Sequence, residues 1–327
     1  MIIIRTPLRI SLAGGGTDLP RYYQTGQGAV CSIAIDKYIY ITINNLSHFF
    51  PHRYRIAYSK TELIQSFDEI HHPIVRESLR HLNLKSGGID ISVMADIPAG
   101  TGLGSSSAFT VGLMHGLFSF QGKISSKELI AKEASNLEIN ILKEPIGKQD
   151  HYASAFGGIN LIHFFKDEEV RVDPLPLSEE KRNTLLKNMM LFYLGGTRSA
   201  SQILKKQNSS IHENIDTLNK MRDQAIRLSQ VLTENKNLDE AGEILRKGWE
   251  LKKTLSENIS NSEVDQKIET SIRAGAIGGK LLGAGGSGFL LLYVPEKHQK
   301  AVAKALPEHN PIPFKVDTLG SSLLYYS

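Results

Sequence analysis

The chain has 327 residues, of which 41% are hydrophobic and 22% charged, and this composition excludes collagen-like and disordered proteins. Cys31 is the single cysteine, which excludes an internal disulfide, and a net charge of +4 is too small to indicate nucleic-acid binding. The apolar run 289–294 is far shorter than the roughly 20 residues of a membrane helix, so we expect no membrane partner. The small net charge leads us to expect no nucleic-acid partner, and the single cysteine fits a cytoplasmic location.

The first 175 residues are predicted to mix strands and helices. Runs rich in β-branched and aromatic residues predict strands, at Ile2–Ala13, Ala29–Ile43, Tyr54–Tyr58, Ile89–Met94, Ile159–Phe165 and Val170–Val172. A glycine- and serine-rich stretch, Pro98–Ser107, leads into a helix that is predicted to end near Phe120. Ser125 and Ser126 can cap a second helix, predicted to run to about Leu142.

Pro174 and Pro176 mark a change in composition, and we place a domain boundary there, between residues 1–175 and 176–327. Apolar residues at helical spacing predict one long amphipathic helix in the polar segment that begins at Ser199. A coiled coil is the alternative, but residues 235–237 interrupt the heptads. Further helices and strands are predicted at Leu238–Leu255, Val264–Ala276, Met189–Leu194 and Phe289–Val294.

The strongest local motif is the segment Pro98–Ala108, which follows a predicted strand and opens a predicted helix. Alternating glycines allow a sharp turn and a close approach to a ligand, and the start of a helix favours phosphate. The segment lacks the Gly-Lys-Ser/Thr ending of a Walker A loop and the spacing of a dinucleotide fingerprint. On local grounds the alternatives are a phosphate-binding loop and a serine-capped helix after a tight turn.

Two further glycine-rich segments flank this motif in the chain. Pro7–Pro20 contains three glycines followed by Thr17 and Asp18, and the Asp18 carboxylate could accept hydrogen bonds from sugar hydroxyls. Its alternative is a turn with an aspartate that caps a helix. Lys280–Phe289 predicts either a second glycine-rich wall near phosphates or a flexible β-turn.

The order and spacing of the three segments resemble those of the GHMP kinases, the family of galactokinase, homoserine kinase, mevalonate kinase and phosphomevalonate kinase. The motifs of that family fall near the N-terminus, about a third along the chain and near the C-terminus. The middle segment matches the family pattern Pro-x-x-x-Gly-Leu-Gly-Ser-Ser in full. The resemblance implies an α+β protein, with an N-terminal domain like domain 2 of ribosomal protein S5, a C-terminal ferredoxin-like domain with extra helices, and an active site between them.

The resemblance also implies transfer of the γ-phosphoryl group of ATP, with Mg²⁺, to a small-molecule hydroxyl. The loop that would hold the triphosphate comprises Pro98, Gly100, Gly102, Leu103, Gly104, Ser105, Ser106 and Ser107. Ser106 and Glu138 correspond to the magnesium ligands of the family. Asp150, expected on the loop after the Glu138 helix, corresponds to the base that faces the acceptor, and Arg9 is expected beside it.

The spacing from Arg9 to Asp18 equals the galactokinase spacing between the motif arginine and a sugar-binding aspartate, which implies a sugar as acceptor. Gly15 and Gly16 replace a galactokinase Glu-His pair, and this opens room beyond C6 of the sugar. The stretch is similar to the family branch that phosphorylates D-glycero-α-D-manno-heptose 7-phosphate at its anomeric hydroxyl, a step towards GDP-heptose. Fucokinase-type enzymes share much of it. The substrate set implied here is Asp18, Thr17, Gly15, Gly16, Arg198, Gly285 and Gly286.

A phosphate on the sugar needs cationic partners, and the candidates are Arg21, Lys37, Lys148 and Arg198. Arg198 is favoured because it follows a Gly-Gly-Thr turn at the predicted start of a helix. Two other classes of function stay open: a decarboxylase on the same fold, and a sensor that binds a metabolite without catalysis. A homodimer is one of the assemblies that the sequence allows.

Overall fold

The structure, a computed structural model, describes residues 1–84, 87–196, 200–234 and 236–327. Its strands, in chain order, are β1 (Ile2–Ala13), β2 (Gly28–Asn45), β3 (Tyr54–Ala57), β4 (Thr61–Ile64), β5 (Ile89–Ala95), β6 (Ile159–Phe164), β7 (Val170–Pro174), β8 (Met189–Tyr193), β9 (Gly278–Leu281), β10 (Phe289–Tyr293) and β11 (Ser322–Tyr326). Its α-helices are α1 (Pro20–Tyr23), α2 (Pro73–His81), α3 (Ser105–Phe120), α4 (Lys127–Asn136), α5 (Gln149–Phe156), α6 (Glu179–Lys187), α7 (Ala200–Ser209), α8 (Ile215–Thr233), α9 (Asp239–Thr254), α10 (Ser262–Arg273) and α11 (Gln299–Ala305). This mixture confirms the predicted α+β class.

An eight-stranded sheet forms the larger layer, in the order β11-β1-β2-β5-β3-β4, with β6 beside the first part of β2 and β7 beside β6. Helix α3 packs closely on β1 and β2 because two of its residues are glycines. A Cβ atom on Gly116 would lie 2.8 Å from a side-chain carbon of Ile43, and one on Gly112 would lie 2.7 Å from the Thr6 hydroxyl. This close packing sets the start of α3 beside the middle of β1, where Arg9 lies.

The smaller sheet is antiparallel, in the order β8-β10-β9, and its strands are almost wholly buried. A bridge between Phe192 and Pro311 adds a further chain segment along β8. Helices α8 and α9 carry buried apolar faces that include Leu218, Met221 and Trp249. Other buried residues of the two helices, such as Leu228 and Leu245, belong to the core of the larger sheet, so α8 and α9 join both cores.

The two sheets are connected at several points. Strand β11, at the end of the chain, pairs with β1 at the start, so the last strand belongs to the larger sheet. The ammonium of Lys280 on β9 donates hydrogen bonds to the carbonyl oxygens of Ser11 and Leu12 on β1, at 2.9 and 3.2 Å. The division of the chain at residue 175 stays a prediction, with β7 ending at Pro174 and α6 beginning at Glu179.

Two predicted helices differ from the structure. The long helix predicted from Ser199 is wrong, because the chain is interrupted between α7 and α8 by a 3₁₀ turn, His212–Asn214. The side-chain amide of Asn214 donates to the carbonyl oxygen of Leu255 there, and this contact competes with a continuous helix. The helix predicted to reach Leu142 ends at Asn136 and continues as a π-helical turn, Leu137–Ile141.

The sequence patterns do not predict β4, β9, β11 or helices α2, α5, α6 and α11. Strand β9 is instructive because it contains Gly278 and Gly279, which weaken a strand signal. A Cβ on Gly278 would lie 2.0 Å from the carbonyl oxygen of Gly242 in α9, so glycine is required by the close approach of that helix. The glycines that weaken the strand signal in the sequence are thus the residues that let β9 pack against α9.

Candidate active site

A cavity of about 610 Å³ lies between the two halves of the chain, and residues of all three glycine-rich segments line it. They include Arg9, Gly15 and Asp18 from the first segment, Gly100, Gly102 and Gly104 to Ser107 from the second, and Gly283, Ala284, Gly285 and Ser287 from the third. Glu138 and Asp150 also line it. The three glycine-rich segments, which are far apart in the sequence, therefore meet around one cavity.

The middle segment turns sharply into α3. Gly100, Gly102 and Gly104 have φ angles of 76°, 93° and 76°, in the region that favours glycine, and Gly104 is the N-cap of α3. A Cβ on Gly102 would lie 2.6 Å from the carbonyl oxygen of Leu282, so the second and third segments touch backbone to backbone. The first turn of α3, with its unpaired N–H groups, is consequently presented to the cavity.

Two members of the predicted phosphate loop are not among the residues that line the cavity. The carbonyl oxygen of Pro98 accepts a hydrogen bond from the Thr101 hydroxyl at 2.9 Å. Leu103 is fully buried, and its carbonyl oxygen accepts from the N–H of Arg9 at 3.0 Å. Both residues fix the shape of the loop, while the glycines and serines form the surface.

Asp150 and Arg9 form a bidentate ion pair against the start of α3. Arg9 Nε donates to Asp150 Oδ1 at 2.6 Å and Arg9 Nη2 donates to Asp150 Oδ2 at 2.6 Å. Arg9 Nη1 donates to the carbonyl oxygen of Gly102 at 2.8 Å. A Cβ on Gly104 would lie 3.0 Å from Asp150 Oδ2, which shows how closely the carboxylate approaches the beginning of α3.

The expected position of Asp150 on a loop is wrong, because Asp150 lies in the first turn of helix α5. A carboxylate is stabilised there by the positive end of the helix dipole. The short helix holds the Asp150 side chain more rigidly than a loop would, and it places Gln149 beside Asp18.

Glu138 lies on the π-helical turn and is almost fully buried. Its Oε1 accepts from the Ser106 hydroxyl at 2.7 Å and its Oε2 lies 2.6 Å from Nε2 of His151. Burial alone would raise the pKa of Glu138, but the hydrogen bonds from His151 and Ser106 outweigh it and hold that pKa below its usual value. Glu138 is thus kept as an anion at the wall of the cavity.

The Ser106–Glu138 pair was predicted to bind Mg²⁺, and its chemistry fits that ion. Mg²⁺ prefers hard oxygen ligands and commonly takes one carboxylate, waters and the phosphates of a substrate. A buried carboxylate with its pKa lowered, next to a serine hydroxyl, offers such oxygens. In the described part of the chain no group of three His, Cys, Asp or Glu residues forms a metal cluster.

Asp18 is buried in a tight turn and is held by two backbone amides. Its Oδ1 accepts from the N–H of Gly16 at 2.9 Å, and its Oδ2 accepts from the N–H of Gln149 at 3.1 Å. Burial, and then the nearby charge of Asp150, raise the pKa of Asp18. The carboxylate faces the cavity from a fixed position, as a ligand for hydroxyl groups requires.

Gly15 and Gly285 line the cavity, whereas Thr17 and Gly286 do not. The Thr17 hydroxyl donates to the backbone, with the carbonyl oxygens of Gly14 and Ala29 at 2.8 and 2.9 Å, so it stabilises the turn. The N–H of Gly286 donates to the carbonyl oxygen of Ile259 at 2.9 Å. In the structure Thr17 and Gly286 therefore hold the loops, and a direct contact of either residue with a substrate stays a prediction.

Three of the four predicted phosphate-binding cations, Arg21, Lys37 and Lys148, are described by the structure, and none of these three lines the cavity. Lys148 forms an ion pair with Glu168 at 2.5 Å and stands over the Tyr23 ring, and the exposed Arg21 donates to the Asn208 carbonyl oxygen at 3.4 Å. The remaining two are Lys37, which lies 4.0 Å from the carboxylate of Asp36, and Arg198, which lies outside the described residues. The neighbouring Gly196 packs against Ser287 of the cavity wall.

Two lysines that sequence reasoning missed, Lys252 and Lys280, line the cavity and are buried. Burial lowers the pKa of Lys252 to about 8, and burial and then the charge of Lys252 lower that of Lys280. A signal for Lys252 was present in the sequence. It follows Leu245 by seven residues and Trp249 by three, which places a lysine on the apolar face of α9.

No helix among the described residues is long and apolar enough to cross a membrane. Comparison with protein families matches residues 70–158 to the GHMP kinases N terminal domain and residues 229–312 to the GHMP kinases C terminal domain. The two matched ranges contain the glycine loop, Glu138, Asp150, Lys252 and the third glycine segment.

The chain is 28% identical over 316 residues to the D-glycero-alpha-D-manno-heptose 7-phosphate kinase of Campylobacter jejuni, which covers 92% of each chain. It is 28% identical to the L-fucokinase/L-fucose-1-P guanylyltransferase of Bacteroides fragilis over 94% of this chain, but only 36% of that longer protein. Among solved structures, a D-glycero-D-manno-heptose 1-phosphate kinase from Bacteroides thetaiotaomicron superposes over the full length of both chains, with a TM-score of 0.80 and 25% identity.

Proposed function

The chain belongs to the GHMP kinase family, and from this premise we propose that it is an ATP-dependent kinase of D-glycero-α-D-manno-heptose 7-phosphate. Membership makes it a phosphotransferase with an alcohol group as acceptor, and its relatives make it a sugar kinase. The proposed reaction transfers the γ-phosphoryl group of ATP to the anomeric hydroxyl and gives the 1,7-bisphosphate. The observation that carries the proposal is the Arg9–Asp150 pair, set against the glycine loop at the start of α3.

In this proposal the first turn of α3 holds the triphosphate. Its N–H groups and the positive end of its dipole favour the phosphate oxygens, and Ser105 and Ser107 lie in the same turn. The glycines at 100, 102 and 104 keep side chains out of the way of the phosphates. Phosphoryl transfer needs mainly position and charge neutralisation, and a rigid loop of this kind supplies the first.

Asp150 is the proposed base. Its carboxylate would accept the proton of the attacking hydroxyl, while the oxygen of that hydroxyl forms a bond to the γ-phosphorus and ADP leaves. Arg9 holds Asp150 through two hydrogen bonds and so orients both carboxylate oxygens. We propose Arg9 as the residue that positions the base and offsets charge next to it.

Ser106 and Glu138 are the proposed residues that hold Mg²⁺. The ion, when bound with the nucleotide, neutralises phosphate charge and fixes the phosphate chain. His151, behind Glu138 and fully buried, orients that carboxylate through its Nε2 atom. The Ser106 hydroxyl donates its hydrogen bond to Glu138. In this proposal the lone pairs of the Ser106 oxygen remain available to the ion.

The proposed sugar site is formed by Asp18, with Gly15 and Gly16 beyond it. A buried carboxylate fixed by two amides suits two neighbouring sugar hydroxyls, because it accepts hydrogen bonds at both oxygens. The lack of side chains at Gly15 and Gly16 leaves space for a chain longer than that of a hexose. The relatives named for heptose phosphates support a seven-carbon phosphorylated sugar, and their names differ in the position of its phosphate.

A fucokinase-like activity is the second candidate, and the similarity to the Bacteroides fragilis protein favours it. The discriminating experiment measures ADP release with ATP and Mg²⁺ on heptose 7-phosphate, heptose 1-phosphate, fucose, galactose and mevalonate. We expect the highest kcat/KM with heptose 7-phosphate, and a ³¹P NMR signal from an anomeric phosphate in the product. Turnover of fucose or galactose without turnover of heptose 7-phosphate would replace the proposed substrate.

The same panel, with a phosphorylated mevalonate added to it, tests the two other classes of function. Release of CO₂ from a phosphorylated mevalonate would indicate a decarboxylase. Binding of a sugar phosphate without consumption of ATP on any substrate would indicate a sensor. Against the sensor stands the complete set of contacts among Arg9, Asp150, Ser106 and Glu138, which a protein without catalysis has no need to keep.

A further inference from the structure

Lys252 is a buried lysine that has no part in the proposed roles of Asp150, Arg9, Ser106 and Glu138. It lies near the end of α9, with only 8% of its surface exposed, and it lines the cavity. Its neighbours on the same face of the helix, Leu245 and Trp249, are buried in apolar surroundings. A lysine in such a place loses the hydration of its ammonium, so the fold must compensate that loss or use the charge.

The ammonium of Lys252 lies where the glycine-rich segments meet. It donates a hydrogen bond to the carbonyl oxygen of Gly283 in the third segment. Gly283 in turn packs on Gly102, since a Cβ on Gly283 would lie 2.4 Å from the Cα of Gly102. The carbonyl oxygen of Gly102 is the one that accepts from Arg9. Lys252 is thus attached to the same short piece of backbone as the Arg9–Asp150 pair.

The charges around Lys252 leave its ammonium available for an anion. Arg9 uses its Nε and Nη2 on Asp150 and its Nη1 on Gly102, so three of its five N–H groups are engaged. Lys252 has three N–H groups, of which one reaches Gly283. The carboxylates of Asp18 and Asp150 attract the Lys252 ammonium, and Arg9 and Lys280 oppose it.

We propose that Lys252 is a catalytic residue whose ammonium binds the phosphoryl group during transfer, an inference that rests on the kinase function proposed above. The acceptor oxygen forms its bond to phosphorus as the bond from phosphorus to the ADP oxygen breaks, and the acceptor proton passes to Asp150. During this step the equatorial oxygens of the phosphoryl group carry negative charge. The Lys252 ammonium is held at Gly283, which packs on Gly102 of the glycine loop, and from there it neutralises that charge.

This assignment separates Lys252 from a residue that merely holds the sugar. Asp18 already offers carboxylate oxygens to the hydroxyls, whereas a lysine is a compact point charge suited to phosphate. Asp150, already neutralised by Arg9, needs no second cation of its own. The Lys252 ammonium is therefore available to bind a phosphate group.

The test compares Lys252→Met with Lys253→Met. Lys253 is the neighbouring lysine, paired at the surface with Glu250 and Asp265, so it controls for the loss of a charge from α9. For Lys252→Met we expect kcat to fall about 10²- to 10³-fold, the loss typical of one group that stabilises transition-state charge. We expect KM for the sugar and Kd for ATP to change less than about threefold, and Lys253→Met to match the native enzyme. A change confined to KM, or an unchanged kcat, would overturn the assignment.

Two further measurements keep a structural role distinguishable. Because burial disfavours the ammonium, Lys252→Met should melt at the same temperature as the native protein or higher, whereas a residue that holds the fold would lower it. Lys252→Arg should recover part of the lost kcat, and Lys252→Gln should recover none. Equal kcat for the Arg and Gln variants would contradict a role of the charge.

The pH profile supplies an independent readout. Arg9, Asp18, Asp150 and Lys280 face the Lys252 ammonium from β1, the first glycine segment, α5 and β9. The pKa of Lys252 is lowered to about 8, so kcat/KM should decline above about pH 8 as the ammonium loses its proton. That decline should be absent in Lys252→Met, and its persistence there would assign the proton to another group. Failure of every substrate in the native protein would instead refute the proposed kinase function.

Discussion

The two ends of the cavity are built differently. At the α3 end the surface is formed by glycines and by the first turn of a helix, with Ser106 and Glu138 at its edge. At the Asp18 end it is formed by side chains that come from separate parts of the chain, with Asp18 in the first segment and Gln149 on α5. A site made of backbone accepts any phosphate chain, while a site made of side chains can be altered residue by residue to select the acceptor. The comparison predicts that substitutions at the first end affect all substrates and those at the second affect some.

The Arg9–Asp150 pair lies where the two ends meet, so Asp150→Asn should have the largest effect. We expect kcat to fall about 10²- to 10⁴-fold for every sugar accepted, because an amide cannot take the acceptor proton. ATP should still bind with a similar Kd, since the start of α3 is unchanged. Isothermal titration calorimetry and a coupled ADP assay measure the two quantities.

Asp167→Asn is the matched control, because Asp167 is exposed on the turn after β6. It should leave both kcat and the Kd for ATP unchanged. An Asp150→Asn enzyme with near-native kcat would show that the base has been assigned to the wrong residue, even if the phosphate loop binds ATP as proposed.

The two kinds of site also differ in how well they can be predicted from the sequence. A contiguous backbone loop is visible in the sequence, whereas side chains that only the fold brings together are not. The loop Gly100–Ser107 is contiguous, and its glycines have positive φ angles that few other residues tolerate, so its residue types reveal it. Lys252 is 234 residues from Asp18 in the sequence, and only the packing of α9 on β9 brings the two to one cavity. Motif matching could not find Lys252, although its place on an apolar helix face is a local signal.

The errors at the level of secondary structure have a related origin. Glu138 lies on a π-helical turn that the pattern of α4 does not distinguish from an ordinary helix, because π and α turns differ by one residue in their hydrogen bonds. Strand β11 joins the larger sheet only through pairing with β1, more than 300 residues earlier. Such pairings depend on the whole fold, and short segments carry little of that information.

Gly15→Glu tests the acceptor end with a smaller and more selective effect. Gly15 has no positive φ angle, and a Cβ there would meet the Ser11 hydroxyl oxygen at an ordinary 3.4 Å, so the backbone accepts a side chain. A glutamate would narrow the space beyond C6 and repel a sugar phosphate. We expect kcat/KM for heptose 7-phosphate to fall about 100-fold, since like charges in contact cost several kcal/mol.

The same variant should change kcat/KM for unphosphorylated hexoses, if the native enzyme accepts them, by less than about threefold. Gly15→Ala separates size from charge and should lie close to the native enzyme for both kinds of sugar. An equal loss on galactose and heptose 7-phosphate would indicate that residue 15 does not face the distal end of the acceptor.

The smallest effects concern the cations proposed to hold the sugar phosphate. Lys148 is committed to Glu168 and the Tyr23 ring, so Lys148→Ala should change KM for heptose 7-phosphate less than twofold. Arg198 follows Gly196, which packs against the Ser287 wall, and Arg198→Ala should raise that KM about tenfold, as expected for one charged hydrogen bond. Because neither residue meets the anomeric carbon in this proposal, kcat should stay native in both variants. Steady-state kinetics with heptose 7-phosphate and with an unphosphorylated sugar test whether Arg198 recognises the phosphate. A rise in KM for both sugars in Arg198→Ala would mean that this arginine shapes the pocket as a whole and does not recognise the phosphate.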